Sequence, residues 1–179
     1  MTARFCLVCG ARLRRARLEG RWRLRCSRCG WTFYANPVPA VLAVIVRRGR
    51  VLLTRRARPP YQGTWDAPGG FLEAGETPEQ GLRRALREEI GVGVRGARLV
   101  GFATDRYGPG GFSVLAAAYR VTPTSMVMRA ADDVAEVRWF ALARVPWRGI
   151  AFPGLRRLLR RVLGNPRRVP RSPRRATGR

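Results

Sequence analysis

The carboxylates of this chain are few and gathered. Of eleven acidic residues, five (Glu73, Glu76, Glu79, Glu88 and Glu89) lie between positions 73 and 89, and Asp132, Asp133 and Glu136 form a second group. Solubility does not require such clustering, whereas a cation site does. Oxygen ligands of this kind suit Mg²⁺ or Mn²⁺, ions that usually arrive with a phosphorylated substrate. Sulfur chemistry is equally concentrated. Cys6-Leu7-Val8-Cys9-Gly10 and Cys26-Ser27-Arg28-Cys29-Gly30 are two Cys-x-x-Cys-Gly turns, and they use all four cysteines. Each turn aims two thiolates at one point, and the glycine permits the left-handed backbone that closes it. Together they supply tetrahedral sulfur ligation for a structural Zn²⁺ with no open position for catalysis. Two disulfides are the alternative and suit a secreted chain, to which nothing here points.

These residues need elements to hold them. Thr77, with Gln80 three residues on, reads as a capping box, Pro78 suits the first helical position, and Gly91 stops the helix. On that helix Leu82, Leu86 and Ile90 stack toward a core, while position 85 shares an adjacent face with Glu88 and Glu89. Pro68-Gly69-Gly70 precedes it as a turn whose backbone can approach a ligand closely. Val41–Val46 and Val51–Thr54 read as a strand pair around Arg48-Gly49, followed by a Pro- and Gly-rich loop over 59–70. Strands are predicted at 98–103, 112–121 and 135–140, with a loop at 107–111. An amphipathic helix is predicted over 153–163 and is expected to pack on the sheet through Leu155, Leu158, Leu159, Val162 and Leu163. The organisation expected is a ribbon over 1–33, a main domain over 36–163 and a disordered Arg-rich tail over 164–179.

The formal charge is +25, and all 36 basic residues are arginine. Such a surface attracts polyanions, so non-specific nucleic-acid binding stands beside a merely solvated surface. The longest apolar run, Val38 to Val46, is far too short to span a membrane. Without a long apolar start, a soluble cytoplasmic protein is expected.

The stretch Gly70, Glu76, Arg84-Ala85-Leu86-Arg87-Glu88-Glu89-Ile90-Gly91-Val92 resembles the signature of the Nudix hydrolases, matching every fixed position but one. Trp65 and Trp139-Phe140 also look like the family. The ribbon followed by Tyr34-Ala35-Asn36-Pro37 resembles its zinc-bearing branch, which includes NADH pyrophosphatases. The resemblance implies an α/β Nudix fold, an α/β/α sandwich with a mixed sheet, behind a small four-cysteine zinc ribbon. It further implies metal-dependent hydrolysis of a nucleoside diphosphate linked to another group. Glu88, Glu89, the Gly69 carbonyl and Asp133 would be the Mg²⁺ or Mn²⁺ ligands, with Glu136 a second candidate. Glu88 and Glu89 would be catalytic, Arg84 and Glu76 would pair to brace the loop, and Trp65 with Arg55 (or Arg56) would meet substrate. Arg55 and Arg56 are equally readable as exposed surface arginines.

Two departures matter. The family places a Glu, commonly a metal ligand or base, where this chain has Ala85, so a weakened or purely binding Nudix module is the alternative. The NADH-type branch also shows a Ser-Gln-Pro-Trp-Pro-Phe-Pro segment, and here Thr104 to Phe112 reads Thr-Asp-Arg-Tyr-Gly-Pro-Gly-Gly-Phe. That argues against an NADH or NAD-cap preference and leaves an ADP-ribose-like nucleotide open.

Overall fold

The computed structural model describes residues 3–164, so all of the expected Arg-rich tail but Gly164 lies outside the described residues. The ribbon is a three-stranded antiparallel sheet, β1 (Leu13–Leu18), β2 (Arg21–Cys26) and β3 (Thr32–Phe33), in that order. Its small core is Cys6, Leu13 and Cys26, with Leu24, Trp31 and Phe33 packed around them.

The rest is built on two sheets. Strands β4 (Val38–Val44), β5 (Val46–Arg47), β6 (Arg50–Arg56), β7 (Trp65–Asp66) and β8 (Gly69–Phe71) precede helix α1 (Pro78–Ile90). After it come β9 (Val94–Arg106), β10 (Ser113–Pro123), β11 (Val134–Ala141) and helix α2 (Pro153–Leu163). One sheet runs β8-β4-β10-β9, with β4 and β10 parallel and the other neighbours antiparallel. The other runs β11-β6-β5, with β7 beside β6. Strands β4 and β6 are buried on both faces, and alternation divides their side chains between two cores. Val44, Val51 and Leu53 pack with α2, while Ala43, Leu52 and Val41 pack with Leu82, Leu86 and Ile90 of α1. Helices thus cover opposite faces, as the α/β/α expectation requires.

Several elements differ from the sequence reading. The first strand of the pair ends at Val44 and restarts at Val46. The 59–70 loop contains β7 and most of β8, which form by pairing Thr54 with Asp66 and Leu42 with Gly69. Strand β9 spans thirteen residues instead of six, with Val100 bulged out between Leu99, paired to Tyr119, and Gly101, paired to Ala118. Antiparallel pairing along β10 holds it extended despite Gly96 and Gly101. Among the described residues no helix is long and apolar enough to cross a membrane.

Candidate functional site

Helix α1 is fixed by its own ends. The Thr77 hydroxyl accepts from the Gln80 amide, the Gln80 side chain accepts from the Thr77 amide, and Gly91 caps it at φ 69°. Leu82, Leu86 and Ile90 are fully buried, which fixes the rotation of the helix and turns Glu89 inward while Glu88 stays at the surface. Glu89 Oε2 accepts the Gly69 amide at 2.9 Å, joining the helix to the glycine turn. Only glycine fits at 69, because a Cβ there would collide with the Val41 carbonyl of the neighbouring strand.

The second acidic group is tied to the same helix end. The Ala131 amide donates to the Glu89 carbonyl at 3.0 Å, and the Ala57 amide donates to the Asp133 carbonyl at 2.8 Å. These bonds bring Asp132 and Asp133 onto the wall of a cavity of 330 Å³ that Gly69, Gly70, Ala85, Glu88 and Glu89 also line. Burial pushes the Glu89 carboxyl up to about 9, and the charges of Asp133, Asp66 and Asp132 push in the same direction. A wall of oxygen donors with excess negative charge fits a hard divalent cation. Among the described residues, however, no group of three carboxylates brings its oxygens within 4.8 Å of one another.

Arg84 braces the site. It donates to both Glu76 oxygens at 2.7 and 2.8 Å, to Glu88 at 3.0 Å and to the Phe71 carbonyl at 2.9 Å. Hydrogen bonds from Arg84 and from the Glu73 amide hold the Glu76 carboxyl down at about 2. The expected Arg84–Glu76 pair is therefore present, and it also holds Glu88.

Two expected substrate contacts fall elsewhere. Arg55 points outward, donating to the Gly63 carbonyl at 2.8 Å and lying 3.9 Å from Glu136. Trp65 packs edge-on against Phe140 at 4.8 Å beside the α2 core and does not line the cavity. Glu136 likewise faces outward, paired with Arg138. Strand parity explains the arginine: β6 sends adjacent residues to opposite sides, so Arg56 lines the cavity where Arg55 cannot.

Arg56 is part of a cluster the sequence reading missed. It donates to the buried Asp66 carboxylate at 3.0 Å, to the Pro60 carbonyl at 2.7 Å and to the Tyr107 hydroxyl at 3.1 Å. Its guanidinium lies 5.6 and 5.5 Å from the Tyr107 and Phe152 ring centres. Burial raises the Asp66 carboxyl to about 6, with Arg56 opposing the rise. A lone acid between Trp65 and Ala67-Pro68 was the available signal. Asp105 also reaches the cavity, but it accepts the Gly154 and Leu155 amides and caps α2.

In the ribbon, Gly10 and Gly30 have φ of 70° and 77°, and each donates back to the first cysteine of its knuckle. The four Sγ atoms lie within 4.8 Å of one another, with Cys6–Cys29 and Cys9–Cys26 each at 3.5 Å. The cysteines are unbridged, their nearest sulfurs 3.5 Å apart where a disulfide bond is about 2.05 Å long. A tetrahedral Zn–S₄ centre with bonds of about 2.3 Å has sulfur edges of about 3.8 Å, so the cluster fits zinc.

Comparison with known proteins agrees with this architecture. The NUDIX domain family matches residues 36–162, and the Nudix N-terminal zinc ribbon family matches residues 4–35. The chain is 29% identical over 143 residues to the NAD-capped RNA hydrolase NudC of Pseudomonas aeruginosa, covering 80% of this chain and 49% of that protein. It thus spans about half the length of that relative. It is 30% identical over 117 residues to the ADP-ribose pyrophosphatase of Methanocaldococcus jannaschii, covering 65% of this chain and 69% of that one. The crystal structure of a NUDIX hydrolase from Nitrosomonas europaea matches with a TM-score of 0.74 at 29% identity, over 92% of this chain and 93% of that one. With ribbon, capped helix and glycine turn in place and the domain matched from 36 to 162, this chain belongs to the Nudix family, in its branch with an N-terminal zinc ribbon.

Proposed function

We propose that this chain hydrolyses a nucleoside diphosphate linked to a second group, of the ADP-ribose type, with Mg²⁺ or Mn²⁺. The observation that carries the reading is the part-buried Glu89 carboxyl group, facing a cavity it shares with Glu88, Asp132, Asp133 and the glycine turn. ADP-ribose and NAD, which appear in the names of two relatives, share a diphosphate bridge.

Glu88, Glu89, Asp133 and the Gly69 carbonyl would hold the ion, which when bound neutralises diphosphate oxygens and makes water a nucleophile near neutral pH. One Glu89 oxygen is committed to the Gly69 amide, leaving the other for the cation or for a proton of the attacking water. Arg84 holds Glu88 from the helix side. Arg56, three of whose N–H groups are engaged, presents its remaining donors and its charge to a phosphate. Phe71 and Tyr107, packed at 5.0 Å on the cavity wall, offer aromatic surface to the nucleotide.

The test is turnover of a panel that includes ADP-ribose, NADH and NAD-capped RNA, with Mg²⁺ and with Mn²⁺. At least one substrate is expected to turn over, and Glu89→Gln should cut the rate by at least about 100-fold while melting stays unchanged. Wild-type turnover in that variant would remove Glu89 from the mechanism. Buried Ala85 favours a second reading, a nucleotide-binding module without catalysis. Saturable, metal-dependent nucleotide binding without hydrolysis would select it, and absence of both binding and turnover would overturn both readings.

A further inference from the structure

The ribbon hairpin carries an arrangement of charge for which metal ligation has no use. Strands β1 and β2 place Arg14 opposite Arg25, Ala16 opposite Arg23 and Leu18 opposite Arg21. Alternation therefore puts Arg14, Arg21, Arg23 and Arg25 on one face, while the other carries Leu13, Leu24 and Cys26 of the ribbon core together with Arg15, Arg17 and the exposed Trp22. Like charges directly opposite one another across a strand pair oppose folding. Arg14 and Arg25 are such a pair. Glu19, at the turn, is the single acid between residues 3 and 35, and among the described residues no ribbon arginine enters an ion pair.

An aromatic ring adjoins this face. The Arg23 guanidinium lies 4.6 Å from the centre of the Tyr34 ring, which is half exposed, and the shielded Arg23 Nε has no hydrogen-bond partner. In the Nudix domain Arg56, Arg84 and Arg138 are matched to acids while Arg98 faces Arg120 and Arg47 faces Arg50; on this ribbon face four arginines stand together without an acid.

We propose that this face binds single-stranded nucleic acid, its guanidiniums taking successive phosphates while Tyr34 stacks on a base. Six-residue strands at about 3.3 Å per residue are about 20 Å long, the length of about six stacked nucleotides. A single strand offers open ring faces to Tyr34, which a duplex keeps inside its stack. An anionic membrane would also meet the charge and accept a tyrosine at headgroup depth, but it offers no phosphates spaced along a single strand beside open base faces. The binding does not depend on hydrolysis at the Nudix cavity.

The experiment measures binding by the zinc-loaded full-length chain to labelled twelve-nucleotide RNA and DNA, to a duplex and to phosphatidylserine vesicles, over a range of salt. Two double variants remove equal charge: Arg21→Gln/Arg25→Gln on the proposed face and Arg15→Gln/Arg17→Gln on the other. Zinc content and circular dichroism check that each is folded. The first is expected to lose about tenfold or more in affinity, and its logarithmic salt slope to fall by about 1.4, or about 0.7 per phosphate contact. The second should stay within about twofold of wild type. Tyr34→Ala should bind about fivefold more weakly or worse, with the salt slope unchanged. Equal losses in the two double variants would overturn the proposal in favour of diffuse charge. So would duplex binding as tight as single-strand binding, or vesicle binding that RNA does not displace.

Discussion

Ala85 and Glu89 stand one helical turn apart on α1, and the chemistry of the site turns on that pair. Ala85 is buried, lines the cavity, and has its Cβ 3.6 Å from where a Cβ on Gly70 would lie. A carboxylate at 85 would enter the same space as Glu89, adding charge for a divalent cation and a second candidate base. Ala85→Glu is expected to raise turnover at saturating Mg²⁺. Helix propensity barely opposes the change. Without a divalent ion the variant should melt at a lower temperature than wild type, because a further acid beside Glu89 is buried with no cation. Rates and melting curves with and without Mg²⁺ check both halves. Equal or lower turnover with unchanged metal affinity would mean that the site is already compensated, by Asp133, or serves binding alone.

At the level of elements, the Glu76–Arg84 clamp joins the loop after β8 to the middle of α1 and, through Glu88 and the Phe71 carbonyl, to the cavity wall. Glu76 titrates near 2 in the folded chain against an ordinary value of 4.5, so the clamp contributes fully above about pH 4.5 and is lost as the pH falls toward 2. Glu76→Gln should lower the urea midpoint at pH 7 and flatten its decline between pH 4.5 and 2. An unchanged midpoint and acid profile would show that the clamp does not stabilise the loop. The limits of α1 were legible in the sequence because their determinants are local: Thr77, Gln80 and Gly91 act within the helix or at its ends; the clamp was expected only from the resemblance to the Nudix signature, at Glu76 and Arg84. Strands β7 and β8 were not legible, since Trp65–Asp66 and Gly69–Phe71 become strands only by pairing with distant partners. The choice between Arg55 and Arg56 depended on strand parity relative to a cavity that only the folded chain creates. Asp66 escaped for a related reason: what makes it significant is Arg56, ten residues away.

At the scale of the whole molecule, the cysteines were readable as a ligand set because four thiols in two knuckles have few other uses, and the structure brings all four sulfurs together. The hydrophobic core around them is small and shares no residue with the two clusters that hold the Nudix domain. So small a core does not hold a fold on its own, and metal ligation must contribute much of the ribbon's folding free energy. The Nudix domain has both of its cores closed by its own helices. Zinc removal is therefore expected to unfold the ribbon and leave the Nudix domain intact. Purified protein should contain about one zinc per chain, and Cys26→Ser or a strong chelator should release it. Calorimetry should then show the ribbon transition lost and the Nudix transition within about 2 °C of its original position, a shift worth well under about 1 kcal/mol for a domain of this size. Circular dichroism should retain the helical signal, because both α-helices lie outside the ribbon. A single transition that moves as a whole on chelation would show that the two units fold as one, and undiminished zinc content in Cys26→Ser would remove that cysteine from the ligand set.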